Sequence, residues 1–219
     1  MFQLNLREKG GQVIWTISWQ AGTGGEQNAG ELAEQAGVPL VDRQLSEAIA
    51  LRLGLSSPGL AEELERQPPG LLLKVGLTTA LAFGRGEATR ELQLLSSLRE
   101  SIEQVIVEAA RRPCVILGHG AFVILADHPG AVHVRIRAPL AWRIERYARE
   151  QLIDRHRAEQ EVRRDDRIRT AHLRRLYGKA IDDPSNFDLV CDASRFPPER
   201  LVELLLDAGG HRAEVLAHV

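Results

Sequence analysis

Short apolar runs alternate with longer amphipathic segments over most of the 219-residue chain. The runs are rich in β-branched residues and too short to be typical helices, so they predict buried strands. They fall at residues 12–18, 38–42, 113–117, 131–136 and 189–191. Strands that alternate with helices are typical of a mostly parallel sheet with helices on both faces. The pattern therefore predicts an α/β fold.

The amphipathic segments predict the helices that connect these strands. Apolar residues recur at helical spacing in residues 29–36, where Gly37 follows as a stop signal. The same periodicity predicts a long helix over residues 87–112. Further helices are predicted at residues 45–53, 71–84, after Pro139, at 158–178 and at 197–208. Residues 1–11 alternate weakly and are compatible with an edge strand.

One domain over residues 1–219 accounts for this pattern. Prolines and glycines are frequent in residues 56–70, which predicts a loop-rich start to a helical insertion that extends over residues 56–112. The apolar run 71–77 is compatible with the seam of a homodimer, although a buried core helix is the more common explanation.

The composition narrows the possible partners. The net charge is −2, which gives no sign of a nucleic-acid or membrane surface. No apolar run reaches the ~18 residues that span a bilayer, and charged residues at 7–9 interrupt any signal-peptide pattern. Cys114 and Cys191 lie in separate apolar runs and indicate buried thiols in a reducing compartment. We therefore expect a soluble cytoplasmic protein without nucleic-acid or membrane partners.

The segment Gly22-Thr23-Gly24-Gly25 separates the first predicted strand from the first helix. A strand, a glycine-rich turn and a helix form the architecture of a phosphate-binding loop, because backbone N–H groups and the helix dipole converge on an anion. An ordinary turn that uses glycine for positive φ is the alternative. The pattern G-x-x-x-x-G-K-[ST] is incomplete, because Glu26 stands at the lysine position and Gln27 at the hydroxyl position.

Right-handed crossovers place the turns that follow Ser18, Val41 and Leu117 along one edge of the sheet. These turns carry the glycine-rich loop, Asp42 and His119. The sequence therefore predicts a ligand site at this edge. The histidines show no metal-ligand spacing, so no metal site is predicted from them.

Five segments together resemble the cytidylate kinase-like family, a branch of the P-loop nucleoside monophosphate kinases. They lie at residues 17–33, 41–43, 114–121, 138–144 and 166–190, and their order and spacing match over about residues 13–206. The resemblance implies a three-layer P-loop NTPase-type fold with a five-stranded parallel sheet. It also implies an arginine-rich helical lid at residues 155–180.

The resemblance further implies nucleotide ligands, namely ATP with Mg²⁺ as the donor and CMP or dCMP as the default acceptor. The donor would bind at Gly22, Thr23, Gly24, Gly25, Glu26 and Gln27. The acceptor would bind at Asp42, Arg43, Gly118, His119 and Gly120, with Arg90 as a compensating cation. Arg169, Asp166 and Arg163 would form the catalytic group of the lid, since phosphoryl transfer needs cations around the transferring group. A solvated helix face with i,i+4 pairs is the alternative for these lid residues.

Three departures from the family pattern leave two functional hypotheses. The family usually has Ser-Arg-Glu before the loop, a basic residue after Gly-Gly, and Gly-Arg-Gly-Ala in the later turn. Here Trp19, Glu26 and His119 replace the basic residues, and a histidine does not grip phosphate bidentately as arginine does. The first hypothesis is an ATP-dependent nucleoside monophosphate kinase. The second is a catalytically weak relative that serves as a nucleotide-binding sensor or assembly partner.

Overall fold

The computed structural model describes residues 12–52 and 87–218. Its centre is a sheet in which all described strand pairs are parallel, in the order β2-β3-β1-β4-β5. The strands are β1 (Ile14–Trp19), β2 (Leu40–Val41), β3 (Cys114–Leu117), β4 (Ala131–Arg137) and β5 (Leu189–Asp192). The expected five-stranded parallel sheet is confirmed, and each strand falls within its predicted segment or ends one residue beyond it.

The helices follow the strands in the predicted order. They are α1 (Gly25–Ala36), α2 (Arg43–Arg52), α3 (Glu87–Ala109), α4 (Ala121–Ile124), α5 (Leu140–Gln151), α6 (Arg155–Tyr177) and α7 (Pro198–Ala217). Gly37 ends α1 in a left-handed conformation, as its position predicts. Within the described ranges, no helix combines the length and apolar character that a bilayer span needs. The edge strand at 1–11, the helix at 71–84 and the dimer seam at 71–77 lie outside the described residues.

Helices cover both faces of the sheet. One core joins side chains of β1, α1 and α7, among them Trp15, Leu32 and Leu205. The second core joins β1, α2 and α3 on the opposite face, among them Ile14, Ile49 and Ile102. Consecutive residues of β1 therefore belong to different cores, because side chains alternate across a strand. The three-layer α/β fold is confirmed.

The last helix is longer than its sequence pattern indicates. We predicted an end at residue 208, before Gly209-Gly210, but α7 continues to Ala217. A Cβ atom on Gly209 would lie 2.6 Å from Trp15 Cε2, and Trp15 Nε1 donates a hydrogen bond of 2.8 Å to the carbonyl of Leu205. Gly209 therefore lets the helix approach a buried indole and does not end it.

Both cysteines are buried free thiols, as predicted. Burial raises the pKa of Cys114 to about 12 and also raises that of Cys191, because a low-dielectric environment disfavours the thiolate. Both side chains therefore act as small apolar groups of the core.

Candidate functional site

A cavity of about 300 Å³ opens at the carboxyl edge of the sheet. It is bounded by the end of β1, the start of α1, the turns after β2 and β3, and α6. Six of the predicted site residues line it, namely Glu26, Asp42, Gly118, His119, Gly120 and Arg169. Sequence reasoning did not assign site roles to other lining residues, among them Trp19, Ser46, Phe122 and His172. The structure thus brings Glu26, the predicted acceptor turn and Arg169 of the predicted lid to one cavity. The glycine-rich segment 22–25 and Asp166 are not among the residues that line it.

The glycine-rich loop turns sharply before α1. Gly22 has a φ of +80° and Gly24, the N-cap residue of α1, a φ of +73°, values that glycine adopts without strain. Among the described residues, no side chain caps the first turn of α1, so its N–H groups remain suited to an anion. Thr23 is fully buried, and its hydroxyl donates to the carbonyl of Gln20 at 2.7 Å. The Thr23 side chain therefore stabilises the loop through a buried hydrogen bond between residues 20 and 23.

The indole of Trp19 fills the space between the two glycine turns. A Cβ atom on Gly25 would lie 2.5 Å from Trp19 Cγ, and one on Gly118 would lie 3.2 Å from Trp19 Cζ3. The guanidinium carbon of Arg169 lies 4.0 Å from the ring centre, and Arg169 Nη1 donates to the Trp19 carbonyl at 3.2 Å. Trp19, known from the sequence as a departure from the family pattern, is thus a central packing residue of the site.

Helix α6 is attached to the loop through Asp166. Its Oδ1 atom accepts a hydrogen bond of 3.1 Å from the Ala21 N–H, and its Oδ2 atom accepts one of 2.7 Å from Arg143 Nη1. The Arg143 side chain is only 6% exposed and also donates to the carbonyls of Ala21 and Ala138. Both carboxylate oxygens of Asp166 therefore contact groups of the chain itself, which positions α6 against the loop.

The Glu26 carboxylate does not occupy the glycine-rich loop. Its side chain is 69% exposed, and Oε1 lies 4.0 Å from Arg169 Nη2. Glu26 therefore contributes a negative charge at the mouth of the cavity, opposite the lid arginine.

A second arginine of α5 lies against the loop. A Cβ atom on Gly24 would be 2.5 Å from the guanidinium carbon of Arg146, and Arg146 Nη1 donates to the Thr23 carbonyl at 3.2 Å. Sequence reasoning missed Arg146. The available signal was its spacing of three residues from Arg143 on the predicted helix, which places both side chains on one helix face.

The turn after β3 has an unusual backbone. Gly118, His119 and Gly120 have φ angles of +78°, +54° and +72°, so three consecutive residues adopt the left-handed region. A non-glycine residue there is uncommon, although histidine is among the more tolerant types. A Cβ atom on Gly120 would lie 2.7 Å from Tyr177 Cε2 and 3.3 Å from Leu173 Cδ1. The end of α6 therefore packs directly on this turn.

Four other predicted site residues lie away from the cavity or have side chains outside the described part of the structure. Arg163 is exposed and forms an ion pair of 2.8 Å with Glu159, as the solvated-face alternative expects. Gln27 is exposed and donates to Glu31 at 2.9 Å. Arg43 and Arg90 belong to α2 and α3, but their side chains are outside the described part of the structure. The roles assigned to these four residues stay predictions.

Polar side chains also occupy the sheet, apart from the residues that line the cavity. His133 Nδ1 lies 2.7 Å from Thr16 Oγ1, and Arg135 Nη2 contacts Asp182 at 2.8 Å. Burial lowers the pKa of His133, an effect that the nearby Asp188 opposes. Burial likewise lowers the pKa of Arg135, although its partner Asp182 counteracts this effect. His133 is therefore a neutral imidazole in the folded protein at neutral pH.

The comparisons with known proteins agree with this architecture. A cytidylate kinase from Ignicoccus hospitalis is 30% identical over 104 residues, which cover 48% of this chain and 60% of that relative. The match thus spans less than two thirds of the relative's length.

Two solved structures resemble the fold. An uncharacterized protein from Eubacterium ventriosum superposes with a TM-score of 0.66 at 18% identity, over 90% of this chain and 97% of that one. TT1252 from Thermus thermophilus superposes with a TM-score of 0.52 at 16% identity, over 95% and 98%. Residues 14–195, most of the chain, match the model of the cytidylate kinase-like family. The chain therefore belongs to the cytidylate kinase-like family.

Proposed function

We propose that the protein catalyses ATP-dependent phosphoryl transfer to a nucleoside monophosphate, with CMP or dCMP as the acceptor. The observation that carries the proposal is the cavity that Glu26, Asp42, His119 and Arg169 line together. Glu26 lies in the first turn of α1, directly after the glycine-rich loop, Asp42 follows β2, His119 lies in the turn after β3 and Arg169 belongs to α6. These positions support a two-substrate site with a donor side, an acceptor side and a lid.

The glycine-rich loop is suited to the donor phosphates. Gly24 begins α1 in the left-handed conformation without a capping side chain among the described residues, which leaves first-turn N–H groups for phosphate oxygens. This interaction uses backbone atoms, so it does not depend on the lysine that the P-loop pattern has at the position of Glu26.

The residues present also fit Mg²⁺. Proteins usually hold this ion through one or two carboxylates together with substrate phosphates and water, and Asp42 supplies a carboxylate on the cavity wall. When bound, Mg²⁺ neutralises charge on the β- and γ-phosphates. Asp42 is the described residue best placed to hold it, because Glu26 points toward Arg169.

Arg169 is the residue that we assign to the transferring phosphoryl group. Its guanidinium contacts the Trp19 ring and lies 4.0 Å from Glu26, and Arg169 lines the same cavity as the turn that contains His119. Asp166 acts as a positioning residue, since it ties α6 to Ala21. Movement of α6 toward the bound substrates would exclude water from the reacting groups and limit hydrolysis. His119, which also lines the cavity, orients the acceptor.

A coupled phosphotransfer assay with ATP, Mg²⁺ and a panel of CMP, dCMP, UMP and AMP tests the proposal. We expect turnover with CMP or dCMP to exceed that with UMP and AMP. Absence of turnover with all four acceptors, in protein whose circular dichroism shows an intact fold, would contradict it.

A catalytically weak, nucleotide-binding relative is the second candidate. The observation that favours it is the pairing of Glu26 with Arg169, which places a carboxylate beside the cation that the transferring group would need. Binding of ATP and CMP by calorimetry without turnover would support this alternative. Glu26→Lys separates the two further: a gain of turnover would show that the acidic residue alone limits the chemistry.

A further inference from the structure

We propose that Arg146 of α5 supplies the donor-phosphate cation that the loop lacks at Glu26. This inference rests on the proposed function, because it assumes that the donor phosphates bind at the glycine-rich loop. It adds a residue from a different element to the donor site.

The contacts of Arg146 place its charge at the start of α1. Its guanidinium carbon would be 2.5 Å from a Cβ atom on Gly24, the N-cap residue, so no side chain larger than glycine fits beneath it. Nη1 donates to the Thr23 carbonyl at 3.2 Å, and Nη2 donates to Gln27 Oε1 at 3.4 Å. The guanidinium thus spans the end of the loop and the first turn of the helix, where a triphosphate would lie.

The Arg146 side chain is held in this position before any phosphate arrives. It stacks on Trp142, with 5.6 Å between the guanidinium carbon and the ring centre, and Nε bonds to Glu150 at 2.7 Å. Its side chain is 14% exposed. A preorganised arginine loses less conformational entropy when it binds phosphate.

The guanidinium retains capacity for a phosphate. Arginine has five N–H groups, and the described contacts of Arg146 use three of them. The contact with Gln27 is long, so a charge-assisted bond to a phosphate oxygen would be the stronger alternative.

The neighbouring arginine is less suited to this role. Arg143 also reaches the loop, but it is 6% exposed and bonds to Asp166 as well as to backbone carbonyls. Glu26 is 4.0 Å from Arg169 and has no described contact with Arg146. Among the described arginines, Arg146 is therefore the one that contacts both the Thr23 carbonyl and Gln27 at the start of α1.

Binding of inorganic tripolyphosphate by isothermal titration calorimetry tests the inference without requiring catalysis. We expect Arg146→Ala to weaken binding by about 10- to 100-fold, the effect of removing charge-assisted hydrogen bonds. Arg149→Ala, which removes an exposed arginine of the same helix, is the matched control and should bind like wild type. Arg146→Lys keeps the charge without the planar fork and should recover part of the affinity.

The decisive variant adds Glu26→Lys to Arg146→Ala. If Arg146 replaces the missing lysine, a cation at position 26 should restore binding to within about threefold of wild type. The gain from Glu26→Lys should also be larger in Arg146→Ala than with Arg146 present, a coupling that a merely structural role for Arg146 would not produce. Normal binding by Arg146→Ala would overturn the inference, and so would a loss that Glu26→Lys does not restore. Failure of wild type to bind tripolyphosphate would also overturn it, while the CMP assay judges the proposed function separately.

Discussion

The guanidinium of Arg169 stacks on the indole of Trp19 at 4.0 Å, although 150 residues separate them in the sequence. This contact joins α6 to the strand that leads into the glycine-rich loop. A cation over a tryptophan face contributes about 0.5–2 kcal/mol. The Arg169 charge is thus held at the cavity by packing as well as by hydrogen bonding.

Replacement of Arg169 is expected to affect the chemical step. Arg169→Ala should lower kcat for CMP phosphorylation by about 10³-fold, because an arginine at the transferring group stabilises the charge of the transition state. Steady-state kinetics should show a much smaller change in KM for ATP. Arg174→Ala, an exposed arginine on the same helix, serves as the control and should leave kcat unchanged. Equal losses in both variants would contradict the assignment of Arg169.

The Asp166–Arg143 pair is expected to matter for stability. Asp166→Asn should lower the free energy of unfolding by about 2 kcal/mol, less than for a fully buried pair because Asp166 remains partly exposed. Urea denaturation measures the change. In Asp166→Ala, which also removes the acceptor of the Ala21 N–H, hydrogen exchange at the Ala21 amide should increase. Glu159→Gln removes the partner of exposed Arg163 and should cost less than about 0.5 kcal/mol. An unchanged exchange rate at Ala21 would contradict the positioning role.

Two glycine-to-alanine substitutions should have opposite effects. At Gly209 a Cβ atom would collide with Trp15, whereas at Gly30 of α1 nothing lies within 4 Å of it. Gly209→Ala should therefore destabilise the protein by about 1–3 kcal/mol through overpacking. Gly30→Ala should stabilise it by about 0.5–1 kcal/mol, because alanine favours helices. Thermal and urea unfolding measure both changes, and effects of the same sign in the two variants would contradict the close contact between Gly209 and Trp15.

His133 is expected to make the stability depend on pH. Burial lowers its pKa in the folded protein, while an unfolded histidine titrates near ~6.5. As the pH falls through ~6.5, the unfolded state binds a proton that the folded state does not, so the free energy of unfolding decreases. Above that pH the unfolded state does not bind this proton, so His133 no longer lowers the free energy of unfolding.

Urea unfolding between about pH 5 and 8 measures this dependence. His133→Gln should reduce the slope by up to about 1.4 kcal/mol per pH unit. His211→Gln, at an exposed position, is the control. An identical slope in wild type and His133→Gln would exclude His133 as the source.

Much of the fold follows from local patterns. Strand positions follow from short β-branched runs, and Gly37 ends α1 where its position predicts. The common edge of the three turns also follows from topology, because parallel strands bring their carboxyl ends together. This explains why Asp42, His119 and Glu26 meet in one cavity although their separations in sequence are large.

The remaining features depend on contacts that a single sequence does not specify. A glycine in the sequence is a usual signal for the end of a helix. The close approach of Trp15 shows that Gly209 instead allows tight packing within the helix. The bond from Arg146 to Thr23 crosses 123 residues. Trp19 is equally ambiguous, since its place between two glycine turns depends on how β1 and β3 align. Sequence patterns indicate faces and turns, whereas these interactions depend on tertiary packing.

Helix α6 contacts two turns of the chain at the same time. Asp166 bonds to Ala21 before the glycine-rich loop, and Tyr177 packs on Gly120 in the turn after β3; at 1.5 Å per residue these points lie about 16 Å apart on the helix. A rigid tilt of α6 therefore moves its contacts with both turns together. At the donor and acceptor sites that we propose for these turns, each ligand should change the affinity of the other by the same factor, since such linkage is reciprocal.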